Sequence, residues 1–365
     1  MKGRKLKDQE SSEVVLPFAA EDVAAPLLEW YGLAGRILPW RQTRDPYRIW
    51  ISEIMLQQTT VAAVTEYYRR FLERFPHIEV LAAAPLEEVI DLWAGLGYYA
   101  RARNLHATAR LLVGERGSKF PHAVDELMAF PGIGRSTAGA ISALAFDVPA
   151  PILDANVRRI LCRLFALQEP PRSRNADKKL WLWAEYLTPK QQVHDYTQAI
   201  MDLGALICTP QNPRCEQCPL ASFCVAHRQN LVNLIPLKTT GKKIPTRYQL
   251  ALLLVDNEQC LVQRRPATGL LGGLWEFPGF EAGSEEPLVA IRKFYAGVEK
   301  IPAVRLLGRA QHAYSHFRLE VDCYRVDLEP RDRIAEGAER WLPLKDLDQL
   351  SLHGAHKKLL PLIGV

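Results

Sequence analysis

The sequence predicts a multi-domain protein in which an all-α domain is followed by an α+β domain, and three observations carry that expectation. At 365 residues the chain exceeds what one hydrophobic core usually supports. From Glu21 to about Ala226 the apolar residues recur with helical spacing. Beyond a polar, Lys-rich stretch at 230–243 the period changes to that of short strands. With 48% apolar and 24% charged residues, the composition excludes a disordered or collagen-like chain.

Residues 1–20 read as a flexible N-terminal tail and 21–228 as the helical domain. Ile51, Ile54, Met55, Val61, Val64, Tyr68, Phe71, Leu72 and Phe75 fit one or two consecutive helices ending at Pro76. Further helices are expected at 86–93, 98–113, 124–130, 136–145, 155–165, 177–187 and 195–206. Residues 229–246, with Pro236 and Gly241, read as an interdomain linker. The second domain, 247–365, carries β-type runs at 248–255, 259–264, 304–308 and 319–326, with helices near 288–295 and 356–360.

A net charge of +5 permits a nucleic-acid partner without selecting for one. No apolar run reaches the roughly 18 to 20 residues needed to cross a bilayer. Asp8, Glu10, Glu13 and Pro17 spoil the N-terminus as a signal peptide, so no membrane partner and a cytoplasmic location are expected. Seven cysteines, unevenly spread, fit a reducing compartment and a cysteine-bound metal better than a disulfide framework.

Four of those cysteines, Cys208, Cys215, Cys218 and Cys224, follow the spacing C-x6-C-x2-C-x5-C. Zinc sites built from four cysteines usually pair two C-x2-4-C knuckles, and only Cys215 and Cys218 form one here. An iron-sulfur cluster is therefore the favoured ligand and structural zinc the alternative. Cys162, Cys260 and Cys323 stand alone and read as small buried apolar residues.

Between two helical segments lies Pro131-Gly132-Ile133-Gly134. Gly132 and Gly134 lack side chains, so backbone N–H groups can approach an anion such as a DNA phosphate at the next helix's start. The bland reading is an ordinary tight connection. Asp154, in Ile152-Leu153-Asp154-Ala155-Asn156, is either a helix N-cap or a site residue. Glu53, among apolar neighbours, is either a solvent-facing helical glutamate or an acid kept protonated by its surroundings.

These stretches, with Leu38-Pro39-Trp40-Arg41, the run from Ser52 through Gln57 to Thr59, the run from Gly95 through Leu96 and Tyr98 to Leu105, and the cysteine loop, stand in the order found in the MutY adenine DNA glycosylases, which this chain resembles over nearly its whole length. The hairpin and cysteine loop alone would indicate only the wider helix-hairpin-helix glycosylase superfamily, which includes endonuclease III. The resemblance implies a monofunctional DNA N-glycosylase, an all-α helix-hairpin-helix domain with a 4Fe-4S cluster, and a Nudix-like lesion-recognition domain. It implies removal of adenine mispaired with 8-oxoguanine or guanine from double-stranded DNA, by a monomer that is nucleoid-associated if the chain is bacterial.

By the same resemblance Glu53 protonates the everted adenine, and Asp154 stabilises the oxocarbenium-like sugar, electrostatically or covalently. Leu38, Trp40 and Arg41 border the adenine pocket, while Gln57 and Tyr98 wedge into the stack beside the lesion. Thr59 and Leu96 fall within the DNA-contacting motifs. Ser136 stands where endonuclease III-like enzymes have a lysine, and its hydroxyl cannot form a Schiff base, so lyase action is not expected. The cluster is expected to be structural, organising a DNA-contacting loop that includes Arg214.

The run from Gly269 to Gly279 resembles the start of a Nudix fold. In the register set by Gly279 and Glu285, however, Lys293 replaces the motif's arginine, and Phe294, Gly297 and Val298 replace three of its carboxylates. Diphosphate hydrolysis is therefore not expected, and a recognition role remains. The family's lesion-inspecting Phe-Ser-His corresponds here to Tyr314-Ser315-His316, whose extra hydroxyl must be hydrated or bonded. Two rival readings are a glycosylase-lyase for oxidised pyrimidines and a DNA-lesion binder without catalysis.

Overall fold

The computed structural model describes residues 5–6, 14–15, 18–238, 244–266, 268–283, 285–294, 303–314, 316–328 and 339–365. The chain folds into two compact units, one of Met1–Ala83 with Asn104–Thr240, the other of Ala84–Arg103 with Gly241–Val365. Two dipeptides, β1 (Lys5–Leu6) and β2 (Val14–Val15), pair antiparallel near the N-terminus.

The first unit is helical. Helix α1 (Ala20–Ala34) buries Val23, Ala24 and Leu27. A 3₁₀ turn at Pro39–Arg41 follows, and then α2 (Pro46–Leu56), with Pro46 in its first turn and the Asp45 carboxylate accepting from Tyr47 N–H at 2.9 Å. That pairing of cap and proline fixes the start. The expected helical run breaks at 57–60, where Gln58 takes φ 57° and Thr60 caps α3 (Val61–Arg74). The reading of two consecutive helices is the one observed.

Next come α4 (Ile78–Ala83), α5 (Leu86–Trp93) and α6 (Ala100–Arg116), within which the division between units falls. They are followed by α7 (Val124–Met128), α8 (Arg135–Phe146), α9 (Ala155–Leu164), α10 (Arg174–Leu187) and α11 (Val193–Asp202). Helix α10 starts earlier than expected because the Ser173 hydroxyl accepts from Ala176 N–H, a cap that apolar periodicity does not register. Helix α11 widens into a π turn at Leu203–Ile207 and is followed by the cysteine loop and α12 (Val225–Arg228). Leu27, Ile49, Leu161, Leu180 and Leu203, each nearly fully buried, share one core.

The second unit is a seven-stranded mixed sheet with the order β5-β4-β3-β8-β7. It comprises β3 (Thr246–Asp256), β4 (Gln259–Arg264), β5 (Trp275–Glu276), β6 (Gly279–Glu281), β7 (Val304–Ala313), β8 (Arg318–Asp327) and β9 (Glu339–Pro343). Strands β3 and β8 run parallel; β6 joins β3, and β9 joins β4. Alternation along β3 sends Leu250, Leu252 and Leu254 to one face with Ile291 of α13 (Pro287–Phe294). Ala251, Leu253 and Val255 face the other core with Ala355 of α14 (Gly354–Lys357) and Leu360 of α15 (Leu360–Ile363). Both faces are covered, which is why β3 reads as a continuous apolar run.

The two units interleave along the chain, whereas the sequence reading places 21–228 in one domain. Residues 84–103 group with the sheet because Arg264 donates to Glu87 O and Asp91 Oδ1, both at 3.2 Å, and Arg103 donates to Gly272 O at 3.1 Å. Gly273 also takes φ 82°, and a Cβ there would stand 2.4 Å from Ile90.

Candidate active site

The helical unit contains a cavity of about 420 Å³. Helix α2 lines it with Ser52, Glu53 and Leu56, α8 with Ser136 and Thr137, and α11 with His194 and Gln198. Leu38, Trp40 and Arg41 from the 3₁₀ turn border it, as do Gln57 and Thr59 after α2. Its size suits a nucleobase.

Glu53 is half-buried, with its neighbours Ser52 and Ile54 fully buried. Burial first, and the nearby Asp154 carboxylate second, push its pKa up to about 7, against a smaller opposing pull from Arg41. Asp154 lines the same cavity and also caps α9, so both of its sequence readings describe one side chain. Its Oδ1 accepts from Val157 N–H at 2.7 Å. Burial raises its pKa, while the N–H groups of Val157 and Asn156 and the charge of Arg159 oppose that and favour the anion.

Helix α8 holds Asp154 in place. Gly139 lets α8 approach the segment leading to Asp154 so closely that a Cβ would stand 2.3 Å from Pro151 O. The Ser136 hydroxyl accepts from Leu153 N–H at 3.0 Å. Gln57 bridges α2 to α8, its Nε2 donating to Thr137 Oγ1 at 3.2 Å.

Sequence reasoning did not select Arg36, Asn156, His194, Gln198 or Asp202. Each is an ordinary polar residue locally, and most of its partners lie far along the chain. Tyr31 donates to Gln198 Oε1 at 2.8 Å, the Gln198 amide donates to His194 Nε2, and His194 Nδ1–H donates to Leu144 O at 2.8 Å. Desolvation lowers the His194 pKa, which suits this neutral tautomer.

In the hairpin, Gly132 and Gly134 are exposed. Gly132 takes φ 78°, and a Cβ there would lie 2.7 Å from Asn104 Cβ, so the turn needs glycine twice over. Thr108 ties the turn down by donating to Pro131 O at 2.9 Å. Gly134 caps α8 without a side-chain acceptor for its first N–H groups.

Leu96 and Tyr98 belong to the second unit and do not line the cavity. Leu96 is 6% exposed, whereas Tyr98 is exposed and takes φ 50°. Arg101 sits over the Tyr98 ring, 5.7 Å from its centroid, and donates to Leu96 O and Gly97 O. The Tyr314 hydroxyl is bonded: it accepts from Ala355 N–H and contacts His353 Nδ1, both at 3.0 Å. His316 is exposed, and Ser315 lies outside the described residues. Glu285, the carboxylate that survives from the Nudix motif, is paired with Lys293.

Cys208, Cys215, Cys218 and Cys224 line one cavity together with Arg163 and Ile207. Among the described residues no three His, Cys, Asp or Glu side chains converge closely enough to hold a single metal ion. Four thiols lining one shared hollow can supply the ligand set of an iron-sulfur cluster. Arg163 donates to Cys208 Sγ at 3.3 Å and to Thr209 O at 2.7 Å, supplying positive charge beside the thiols.

A model described as the HhH-GPD superfamily base excision DNA repair protein matches residues 51–185. An iron-sulfur binding domain of endonuclease III matches 208–224, and a NUDIX domain matches 250–362. An adenine DNA glycosylase of Buchnera aphidicola subsp. Schizaphis graminum is 35% identical over 337 residues, covering 92% of this chain and 96% of the relative. The chain belongs to the adenine DNA glycosylase family. A human adenine DNA glycosylase is 34% identical over 395 residues, covering 91% of this chain and 72% of the relative. A solved thermostable thymine-DNA glycosylase superposes with a TM-score of 0.53 at 31% identity, covering 57% of this chain and 97% of that one.

This chain is a DNA glycosylase, and its four-cysteine loop is the binding domain of a 4Fe-4S cluster. The C-terminal unit has the expected Nudix-like fold. No helix among the described residues is long and apolar enough to cross a membrane.

Proposed function

We propose that the protein excises adenine mispaired with 8-oxoguanine or guanine from double-stranded DNA, as a monofunctional glycosylase of base excision repair. The observation that carries this reading is that Glu53 and Asp154 face one base-sized cavity, with the Glu53 pKa raised to about 7. An adenine rotated out of the duplex enters that cavity, because its glycosidic bond is inaccessible while stacked. Protonated Glu53 donates its proton to N7 of the base, and the glycosidic electron pair leaves with the purine. Asp154, whose anion is favoured by the N–H groups at the start of α9 against its burial, steadies the cationic sugar until water adds.

No lysine lines the cavity among the described residues, and the Ser136 hydroxyl is occupied by Leu153 N–H, which supports hydrolysis without a lyase step. Exposed Gly132 and Gly134 offer backbone donors to a phosphate, and Gln57 and Tyr98 wedge the opened stack. Tyr314, Ser315 and His316 inspect the base opposite. The bound cluster contributes structure, tying the loop that carries Arg214 to α9. The protein acts as a monomer wherever the cell keeps its DNA.

The test is a duplex containing adenine opposite 8-oxoguanine, with strands analysed before and after hot alkali. Cleavage only after alkali is expected; cleavage without alkali would establish a lyase, and none under either condition a binder. Glu53→Gln is expected to bind the duplex and excise at least ~100-fold more slowly. Excision by this variant at the normal rate refutes the acid assignment.

A further inference from the structure

The cavity that holds Glu53 is bordered by two arginines, a poor environment for an acid that must keep its proton. Arg36 and Arg41 both line it. What offsets them lies behind the wall. Asp202, the last residue of α11, has a side chain with no exposure at all. Its Oδ2 accepts from Arg36 N–H at 2.9 Å and from Arg41 Nη1 at 2.7 Å. Its Oδ1 accepts from Arg36 Nε and from Arg41 Nη2, both at 2.7 Å, and Arg36 Nη2 stands 2.5 Å away. The two guanidinium groups thus share a single carboxylate whose lone pairs are all used.

We propose that Asp202 is a positioning residue for excision: by pairing with Arg36 and Arg41 it cancels one of their two charges and keeps Glu53 protonated. The same bonds fasten the segment from Arg36 to Arg41 to the end of α11, which sets Leu38 and Trp40 at the cavity wall. Arg41 Nη1 also donates to Arg36 O at 3.2 Å, so the segment is closed on itself as well as on Asp202. Burial alone would raise the Asp202 pKa, but the hydrogen bonds from Arg41 and Arg36 outweigh it and hold the carboxyl below its usual range. Asp202 is therefore an anion wherever excision is measured.

The charged or titratable groups facing Glu53 are Asp154, which raises its pKa, and Arg41, which lowers it. Arg36 and His194 line the same cavity, and His194 is engaged through Nδ1 with Leu144 O. Removing the Asp202 charge changes the local sum from one positive charge to two while leaving Glu53 and Asp154 untouched.

This inference rests on the reading of Glu53 as the acid, and the experiment separates the two. Single-turnover excision is measured from pH 5 to 9 on full-length wild type, Asp202→Asn, Asp202→Glu and the charge-balanced Arg36→Gln/Asp202→Asn. In Asp202→Asn the alkaline limb moves down by about 1 pH unit, because unpaired guanidinium groups ionise Glu53 earlier. Asp202→Glu and the double variant keep the limb at the wild-type position. A uniform loss of rate in Asp202→Asn with an unmoved limb overturns the proposal and leaves the Glu53 reading standing. Normal excision by Glu53→Gln overturns the Glu53 reading instead. Where Asp202→Asn is too unstable to assay, the double variant decides: a displaced limb there refutes charge balance as the cause.

Discussion

At the scale of single residues, the proposed chemistry rests on two carboxylates. Burial raises the pKa of both; a like charge adds to that at Glu53, whereas helix N–H groups and Arg159 oppose it at Asp154. The raised pKa of Glu53 also links it to stability. Its folded value, about 7, lies above the unfolded value of 4.5, so the folded state binds the proton more tightly. That contribution is complete below about pH 4.5 and is lost as pH rises through 7, a swing of about 3 kcal/mol. Glu53→Gln is therefore expected to melt at a higher temperature than wild type at pH 8, with the gap closing at pH 5; a constant gap would disprove the linkage. The sequence singled out both carboxylates and all four cysteines, because each sits in a short motif. Asp202, His194 and Gln198 were not, since nothing nearby marks them and their decisive partners are 50 to 167 residues away.

At the scale of elements, α9 connects the cavity to the cysteine loop. Its N-terminus carries Asp154. One turn on, Arg159 donates to Cys208 O at 2.7 Å and to Gly204 O at 2.8 Å. A further turn on, Arg163 holds Cys208 Sγ, Thr209 O and Ile235 O. Gly204, in the π turn, is small because a Cβ would strike Asn156 at 2.5 Å. Arg163→Gln removes a buried cation from this arrangement and is expected to cost about 3 kcal/mol and lower the iron content of the purified protein. Metal analysis and thermal melting check it, and full iron occupancy with unchanged melting would contradict it. The helix order was readable from periodicity. Caps such as Ser173, and short strands such as β9, were not, because they are defined by hydrogen bonds rather than by apolar repeats.

At the scale of the whole molecule, the sequence correctly indicated a helical half and an α+β half, since the change of period near residue 245 is sharp. It gave no sign that 84–103 groups with the later half, because α5 has the same amphipathic pattern as its neighbours. A chain ended at 240 deprives Ile90 of the Gly273 backbone and Asp91 of Arg264. Such a fragment is expected to unfold several degrees below the full-length protein, in a broader transition. Equal melting temperatures would show that α5 needs none of these contacts. The interleaving has a further consequence for biosynthesis. Because α5 leaves the ribosome well before residues 264–273, its partners there are still untranslated when it emerges, so this helix must wait for them before it reaches its final packing.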